Sequence, residues 1–416
     1  MSVNKTDIYV YADWQGLVQP TLVGVLSAHQ AKGRKAFSFE YDRNWLTTDY
    51  QRLIDPDIQF YSGQQFPNNK ENFGIFLDSM PDTWGRTLMK RREVQFARSH
   101  TTKPRTLYDI DFLLGVYDET RMGAFRFKLD PLGDFLDNDS EKATPPWSTV
   151  RELQQAVQYY EEDTDNEAMN KWFKLLIAPG SSLGGARPKA NIVDDYNELW
   201  IAKFPSKNDT IDKAAWEFLL YKLAINAGIE MAECRLEKVI GDFHTFFTKR
   251  FDRVGKERLH FSSAMTMTGN TEETIKSSPA SYLDIVEFIQ DHGFNIDANL
   301  EQLWRRIVFN ISVSNTDDHL RNHGFILNEE GWQLSPAYDL NPSIDKDGLA
   351  LNIDMYNNDL DIDLAKSVGE YFRLDTIAMS KIQEEVMTAV QQWEQLAKEI
   401  GISRSEQELM RAAFRI

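Results

Sequence analysis

The chain has 416 residues, 42% of them hydrophobic and 12% aromatic, which is the composition of a globular protein with well-filled cores. Acidic residues outnumber basic residues by 64 to 46, and the net charge of −18 disfavours direct binding to nucleic-acid phosphate over most of the surface. No apolar run approaches the ~20 residues that span a bilayer, and the sequence does not begin like a signal peptide. With a single cysteine, Cys234, it predicts a cytoplasmic protein without internal disulfides or membrane contact.

The first 129 residues are predicted to form an α+β module, because short runs of alternating or continuous apolar residues are typical of strands. Strands are predicted at 7–12, 22–26, 36–41 and 123–127, and helices at 83–98 and 109–116. Residues 130–147 are acidic, contain Pro and Gly and lack periodicity, so they are predicted to be a linker.

Residues 148–255 are predicted to form a second structural part of the chain, after the linker. Thr149 and Glu152 have the spacing of a capping box, which predicts the start of a helix that continues with breaks to Ile177. A Gly- and Ser-rich loop at 179–189 follows, then strands at 190–193, 200–205, 235–240 and 245–249 and a helix at 211–227. Residues 256–416 are predicted to be mainly helical from about Ala280 onward, apart from one hairpin, and to end in amphipathic helix at 376–416.

That hairpin lies in the stretch with the clearest chemistry. Asp317 lies five residues before Asn322, the interval between the base and the metal-binding Asn in the catalytic loop of kinases. Two apolar runs, 324–327 and 332–334, flank a polar turn that ends in Gly and predict a β-hairpin, whose second strand leads to Asp339. Carboxylate and amide oxygens suit Mg²⁺. The spacing alone is a weak signal, and the alternative is an ordinary polar loop.

The sequence also contains candidate residues for binding the phosphates of a nucleotide. Lys203 lies in an apolar strand, where its charge needs a partner unless the side chain reaches the surface. Glu217 on the next helix is the candidate partner, as in the Lys–Glu pair of kinases. The loop around Gly184 and Gly185 could cradle phosphates through backbone N–H groups, although by itself it is more typical of a surface turn.

Five motifs together carry a family resemblance. Residues 316–322 read T-D-D-H-L-R-N and resemble T-D-x-H-x-K-N, with Arg321 in place of Lys; residues 338–340 resemble Y-D-[LI]. Residues 182–189 resemble the phosphate loop S-x-x-G-x-x-x-K, residues 201–205 a phosphate-binding strand, and residues 250–253 the motif R-F-D-R. The chain thus resembles, over most of its length, the HipA-type serine/threonine kinases, which are toxins of bacterial toxin–antitoxin modules.

The resemblance implies an α+β, bilobal protein-kinase-like fold, with a β-rich N-terminal module and a mainly α-helical C-terminal lobe. It implies that Asp317 is the catalytic base, that Asn322 and Asp339 bind Mg²⁺, and that a loop serine, Ser182 or the adjacent Ser181, is autophosphorylated. A phosphate on that loop would repel those of ATP. The residues implied to hold ATP are Gly184, Gly185, Ala186, Arg187, Pro188, Lys189, Lys203, Glu217, Lys249, Arg250, Phe251, His319, Arg321, Asn322, Tyr338, Asp339 and Asn341.

The resemblance also implies partners: a HipB-like helix-turn-helix antitoxin, DNA only indirectly through that antitoxin, and an aminoacyl-tRNA synthetase as protein substrate. Two alternatives remain at this point. His319 and His323, four residues apart near several aspartates, could bind Zn²⁺ in a hydrolase, although a Glu base between them is missing. The chain could also be a kinase-fold protein that acts with the antitoxin in transcriptional autoregulation without turnover.

Overall fold

The structure, a computed structural model, describes residues 4–31, 34–139, 143–162, 176 and 185–416. Its strands are β1 (Asn4–Ala12), β2 (Thr21–Ala31), β3 (Arg34–Tyr41), β4 (Phe125–Lys128), β5 (Lys189–Val193), β6 (Leu199–Lys203), β7 (Cys234–Glu237), β8 (Thr245–Lys249), β9 (Arg253–Val254), β10 (Glu257–Arg258), β11 (His260–Ser263), β12 (Gly324–Leu327) and β13 (Trp332–Leu334). Its α-helices are α1 (Gly74–Asp78), α2 (Thr83–Ser99), α3 (Asp109–Leu114), α4 (Val150–Glu161), α5 (Lys213–Asn226), α6 (Ala264–Met267), α7 (Thr274–Ser277), α8 (Tyr282–His292), α9 (Ile296–Ser312), α10 (Ile362–Ser367), α11 (Thr376–Val390), α12 (Trp393–Ile400) and α13 (Arg404–Met410).

The packing of the backbone divides the chain into two compact units. The first contains residues up to 201 together with 252–269 and 326–329, and the second contains 202–251, 270–325 and 330–416. The domain boundaries predicted at 129, 147 and 255 stay predictions. Among the described helices, none combines the length and the apolar character that spanning a bilayer requires.

The first unit is built on an antiparallel sheet with the strand order β3-β2-β1-β4. Because side chains alternate between the two faces of a strand, Ile8, Val10 and Ala12 of β1 all point to the same side, and each is fully buried. The ring of Phe76 on α1 lies 6.1 Å from that of Phe127 on β4, so this short helix covers the apolar face of the sheet. β5 neighbours β6, and β11 neighbours β12.

A buried histidine in the first unit makes the free energy of unfolding depend on pH. His260 is 1% exposed, and its ring contacts those of Trp14 and Phe125, with centroids 4.9 and 4.4 Å away. Burial lowers the pKa of His260 to about 3, whereas an unfolded histidine titrates near pH 6.5. The unfolded state therefore binds the proton first, and this contribution to stability is present above about pH 6.5 and is lost as the pH falls toward 3.

We expect the His260→Phe variant to lose less stability than the wild type on acidification. Between about pH 6 and pH 4 the difference in slope should approach about 1.4 kcal/mol per pH unit, because one proton is no longer taken up on unfolding. Denaturant unfolding at several pH values measures the free energy of unfolding of both proteins and hence the two slopes. Burial raises the pKa of Asp55 to about 6, so this group stabilises the folded protein as the pH falls. Its contribution is the same in the variant and the wild type and therefore cancels in the difference between their slopes. Equal slopes would contradict the expectation.

The second unit combines strands with most of the helices. β8 lies between β7 and β6, and α5 packs against β7 and β8. α9 is the central helix, since Leu303, Ile307, Val308 and Phe309 are fully buried and the helix packs against α8, α10 and α11. β12 and β13 pair as the predicted hairpin, with the bounds expected from the sequence.

Two local features differ from the predictions. The predicted helix does begin after Thr149, as α4, but Thr149 makes no capping bond; its hydroxyl donates to the carbonyl of Pro146 at 2.7 Å within a preceding 3₁₀ turn. The stretch 335–361 contains no helix, although the chain was expected to be mainly helical there; turns and isolated bridges held by Asn352 and Asn358 replace it. The continuation of α4 toward Ile177 lies outside the described residues, except for Leu176.

Candidate active site

Lys203 is the centre of a partly buried ion-pair cluster in the second unit. Its Nζ lies 2.6 Å from Oε1 of Glu217 and 2.6 Å from Oδ1 of Asp339. The strand that carries it has an apolar sequence, and α5 is N-capped by Asp212, which accepts from the N–H of Ala215 at 3.1 Å. The ion pair expected between Lys203 and Glu217 is therefore present, and Asp339 joins it from the segment that follows the hairpin.

The charge state of Lys203 follows from these partners. Burial alone would lower the pKa of its ammonium group, but the attraction of Asp339 and Glu217 outweighs burial and raises the pKa above the usual value. Lys203 is therefore a fixed positive charge at physiological pH. A fixed cation beside a carboxylate of a predicted metal site is suited to orient phosphate oxygens.

Asp339 has an unusual backbone conformation. Its φ is +61°, in the left-handed region that a residue other than glycine rarely adopts. Such conformations concentrate at functional sites. The preceding Tyr338 donates its hydroxyl to the carbonyl of Arg321 at 2.8 Å, and its ring lies 5.7 Å from that of Phe251. The Y-D-L segment thus lies beside Phe251, one of the residues implied to hold ATP, and beside the predicted catalytic loop.

Asn322 is the last residue of the predicted catalytic loop and of a 3₁₀ turn (Leu320–Asn322). Its Nδ2 donates to the carbonyl of Asp317 at 3.1 Å, which fixes the side-chain amide. Its Oδ1 is buried and has no hydrogen-bond partner among the residues that the structure describes. An unpaired buried carbonyl oxygen costs about 1–3 kcal/mol, and Mg²⁺ takes such oxygen ligands. Asn322 therefore fits the metal-ligand role that the sequence implies.

Asp317 contrasts with these buried groups, because its side chain is 73% exposed. Its carboxylate contacts Lys346, whose Nζ lies 3.3 Å from Oδ1. An exposed carboxylate next to a metal-ligand position is accessible to an incoming hydroxyl. Lys346 was not predicted, because it lies 29 residues away on the irregular segment after the hairpin.

Several other predicted residues lie in the same unit. Arg321, where the family has Lys, pairs through Nε with Oε1 of Glu272 at 2.8 Å, and both side chains are exposed. Nδ1 of His319 is buried without a partner in the described part of the chain. Lys249 ends β8 and donates its backbone N–H to the carbonyl of Glu233 at 2.8 Å, and Arg250 is buried.

The predicted phosphate loop is described only from Gly185 onward; Ser181, Ser182 and Gly184 lie outside the described residues. Lys189, at the end of this loop, is 5% exposed and belongs to the first unit. Its Nζ lies 2.8 Å from Oδ2 of Asp82 and 3.2 Å from the carbonyl of Gly185. Asp82 also caps α2 by accepting from the N–H of Gly85 at 2.9 Å. Asp82 could not be predicted as a partner of Lys189, because the two residues are 107 positions apart in the sequence.

Two substitutions at Asp82 separate its two roles. Asn is a good helix cap, so Asp82→Asn should remove only the charge opposite Lys189, and loss of one partner of a buried ion pair costs about 3–5 kcal/mol. Asp82→Ala should cost about 1 kcal/mol more, because the cap is lost as well. Denaturant unfolding of both variants measures these differences in free energy. An Asp82→Asn variant as stable as the wild type would show that the ion pair contributes nothing.

The zinc arrangement considered from the sequence is not formed. Nε2 of His323 lies 2.7 Å from Oδ2 of Asp318, so these two groups pair with each other. Burial would raise the pKa of Asp318, but the charge and hydrogen bond of His323 and the hydroxyl of Tyr282 lower it below the usual value. Over the described ranges, no group of three or more His, Cys, Asp or Glu side chains is arranged to hold a metal ion.

Comparison with known proteins decides the family. A family model described as HipA-like C-terminal domain matches residues 181–394, just over half of the chain. The chain belongs to the HipA-like family. A Haemophilus influenzae protein named "Putative kinase" is 26% identical over 179 residues, which cover 38% of this chain and 52% of that protein. The chain thus spans about half the length of this curated relative.

A solved structure gives the fold of this HipA-like chain. HipA of Shewanella oneidensis MR-1, in a complex with HipB and operator DNA, has a TM-score of 0.66 to it at 16% identity. The match covers 98% of this chain and 94% of that one. The predicted α+β, protein-kinase-like fold of the HipA type is therefore confirmed.

Proposed function

We propose that the chain is a protein serine/threonine kinase that transfers the γ-phosphate of ATP to a protein serine. One observation carries the proposal: Lys203 is held between Glu217 and Asp339, in the same unit as Asp317 and Asn322. A phosphoryl-transfer site requires a fixed cation, oxygen ligands for Mg²⁺ and an accessible carboxylate, and this cluster provides all three. The HipA-like family assignment supports the same conclusion.

The roles follow from the position and charge of each group. Mg²⁺, when bound, neutralises the developing charge on the β- and γ-phosphates. Asn322 and Asp339 would hold it, while Lys203 would orient phosphate oxygens. Asp317, exposed beside this site, accepts the proton of the acceptor hydroxyl. Phe251 and Tyr338 lie together and bound the adenine side of the site.

The proposal includes the biological setting of the family. The kinase is a toxin of a toxin–antitoxin module, which acts in the cytoplasm, and its substrate is an aminoacyl-tRNA synthetase. Its partner is a HipB-like antitoxin, as in the Shewanella complex, and DNA is bound through that antitoxin. Autophosphorylation of Ser182 or Ser181 would silence it, because a phosphate in that loop repels those of ATP.

The substrate class is tested with γ-labelled ATP, Mg²⁺ and a panel of purified aminoacyl-tRNA synthetases from the same organism. We expect transfer of label to one synthetase, and none when the kinase carries Asp317→Asn. Self-labelling without transfer to any member of the panel would contradict the substrate class but not the kinase activity. A protein that binds a HipB-like partner and never transfers label would instead support the alternative without turnover.

A further inference from the structure

A run of buried side-chain hydrogen bonds lies beneath the catalytic loop. The hydroxyl of Tyr282 donates to Oδ2 of Asp318 at 2.5 Å, and Nε2 of His323 lies 2.7 Å from the same oxygen. All three side chains are at most 2% exposed. Asp318 directly follows the predicted base, and His323 directly follows the metal ligand Asn322. Oδ2 of Asp318 therefore links the beginning of the catalytic loop to the residue that follows its end.

The run continues to the segment that carries Asp339. Nδ2 of Asn310 donates to the hydroxyl oxygen of Tyr282 at 3.5 Å, and Nδ2 of Asn315 donates to Oδ1 of Asn310 at 3.0 Å. Oδ1 of Asn315 then accepts from the backbone N–H of Asn341 at 3.2 Å, two residues after Asp339. We name the side chains of Asp318, Tyr282, His323, Asn310 and Asn315 the buried chain.

The need to fill the core does not explain why these buried side chains are polar. A buried carboxylate is costly unless it is paired, and a core of the same volume could be apolar. The segments that the buried chain connects also hold two residues in the left-handed region, Ser314 with φ +49° and Asp339 with φ +61°. Strained backbone persists only where the surrounding structure fixes it. Buried hydrogen-bond networks rigidify the segments that they join; in this network, Nδ1 of His323 is buried without a partner in the described part of the chain.

We propose that the buried chain positions the two halves of the active site, so that the base Asp317 and the metal ligands Asn322 and Asp339 keep a fixed separation. This inference rests on the proposed kinase function. Asp318, Tyr282, Asn310 and Asn315 act as positioning residues: none of them contacts the reacting groups, and their effect passes through the loop backbone. Displacements of about 1 Å in such sites reduce rates by up to about 100-fold.

Tyr282→Phe tests the proposal, because it removes the hydroxyl in the middle of the buried chain and keeps the ring. We expect kcat to fall by about tenfold or more, with little change in ADP affinity in the absence of metal. The gain in ADP affinity on adding Mg²⁺ should shrink by several-fold, since the two metal ligands are no longer held together. Isothermal titration calorimetry with ADP, with and without Mg²⁺, measures this gain independently of turnover.

Ser312→Ala is the matched control. Ser312 is fully buried, and its hydroxyl donates to the carbonyl of Val308 at 2.8 Å, outside the buried chain. The control should keep the wild-type kcat and the wild-type Mg²⁺ gain. If Tyr282→Phe does not fold, Asn315→Ser interrupts the buried chain from its other end. Wild-type behaviour of a folded buried-chain variant, or equal losses in the control, would overturn the inference. A wild type that binds Mg-ADP but transfers no phosphate would contradict the proposed function instead.

Discussion

Replacement of Asp317 by Asn is expected to reduce phosphoryl transfer by about 10²–10⁴-fold, the contribution of a general base. The amide keeps the shape of the side chain but cannot accept the proton of the acceptor hydroxyl. Affinity for Mg-ATP should remain close to that of the wild type, because the exposed Asp317 side chain is not among the groups that surround Lys203. Labelled-phosphate transfer and calorimetric titration measure the two quantities on the same preparations.

The matched control for this variant is Asp363→Asn. Asp363 is 88% exposed and pairs only loosely with Lys366 at 3.6 Å, so the same chemical change is made away from the site. This control should transfer phosphate at the wild-type rate. Comparable rates for Asp317→Asn and the wild type would rule out the role assigned to Asp317, whereas a joint loss of rate and nucleotide affinity would indicate a misfolded loop.

Replacement of Asp339 by Asn is expected to act on metal binding itself. Loss of a group that merely supports a metal ligand costs about 10- to 100-fold in metal affinity, so loss of a ligand's charge should weaken Mg-ATP binding by at least about tenfold. The variant should still fold, because Glu217 remains as a partner 2.6 Å from Lys203 and no buried charge is left unpaired. Nucleotide-induced thermal shifts at increasing Mg²⁺ concentrations measure the effect.

Asp345→Asn controls for a nearby loss of negative charge. Asp345 is exposed and lies six residues after Asp339, and its backbone N–H donates to the hydroxyl of Ser343. We expect this control to keep the wild-type response to Mg²⁺. Identical Mg²⁺ dependence of the Asp339 variant and the wild type would exclude Asp339 as a metal ligand and leave it as a structural partner of Lys203.

The parts of the molecule that follow from local sequence were predicted well. The hairpin of β12 and β13 has the expected bounds, because two apolar runs and a turn that ends in Gly331 leave one local solution. The pairing of Lys203 with Glu217 also followed, since a lysine in an apolar strand needs a partner and the next helix offers one.

Features that depend on contacts distant in sequence could not be predicted. Nothing in the sequence near Lys189 indicates that Asp82 faces it, and nothing near Asp318 indicates Tyr282. Both pairs are fixed by tertiary packing, which brings together segments whose local patterns are independent. The missing cap at Thr149 has a different cause, because its hydroxyl bonds locally to the carbonyl of Pro146 in the preceding 3₁₀ turn.

The most direct test of a working kinase is to incubate unphosphorylated protein with labelled ATP and Mg²⁺ and to map the phosphate by mass spectrometry. We predict label on Ser182 or Ser181, with a rate that depends on Mg²⁺, and no label on the Asp317→Asn variant in the same incubation. Absence of label from the wild-type protein and from every acceptor supplied would contradict the account, and the cluster around Lys203 would then be a structural ion-pair site.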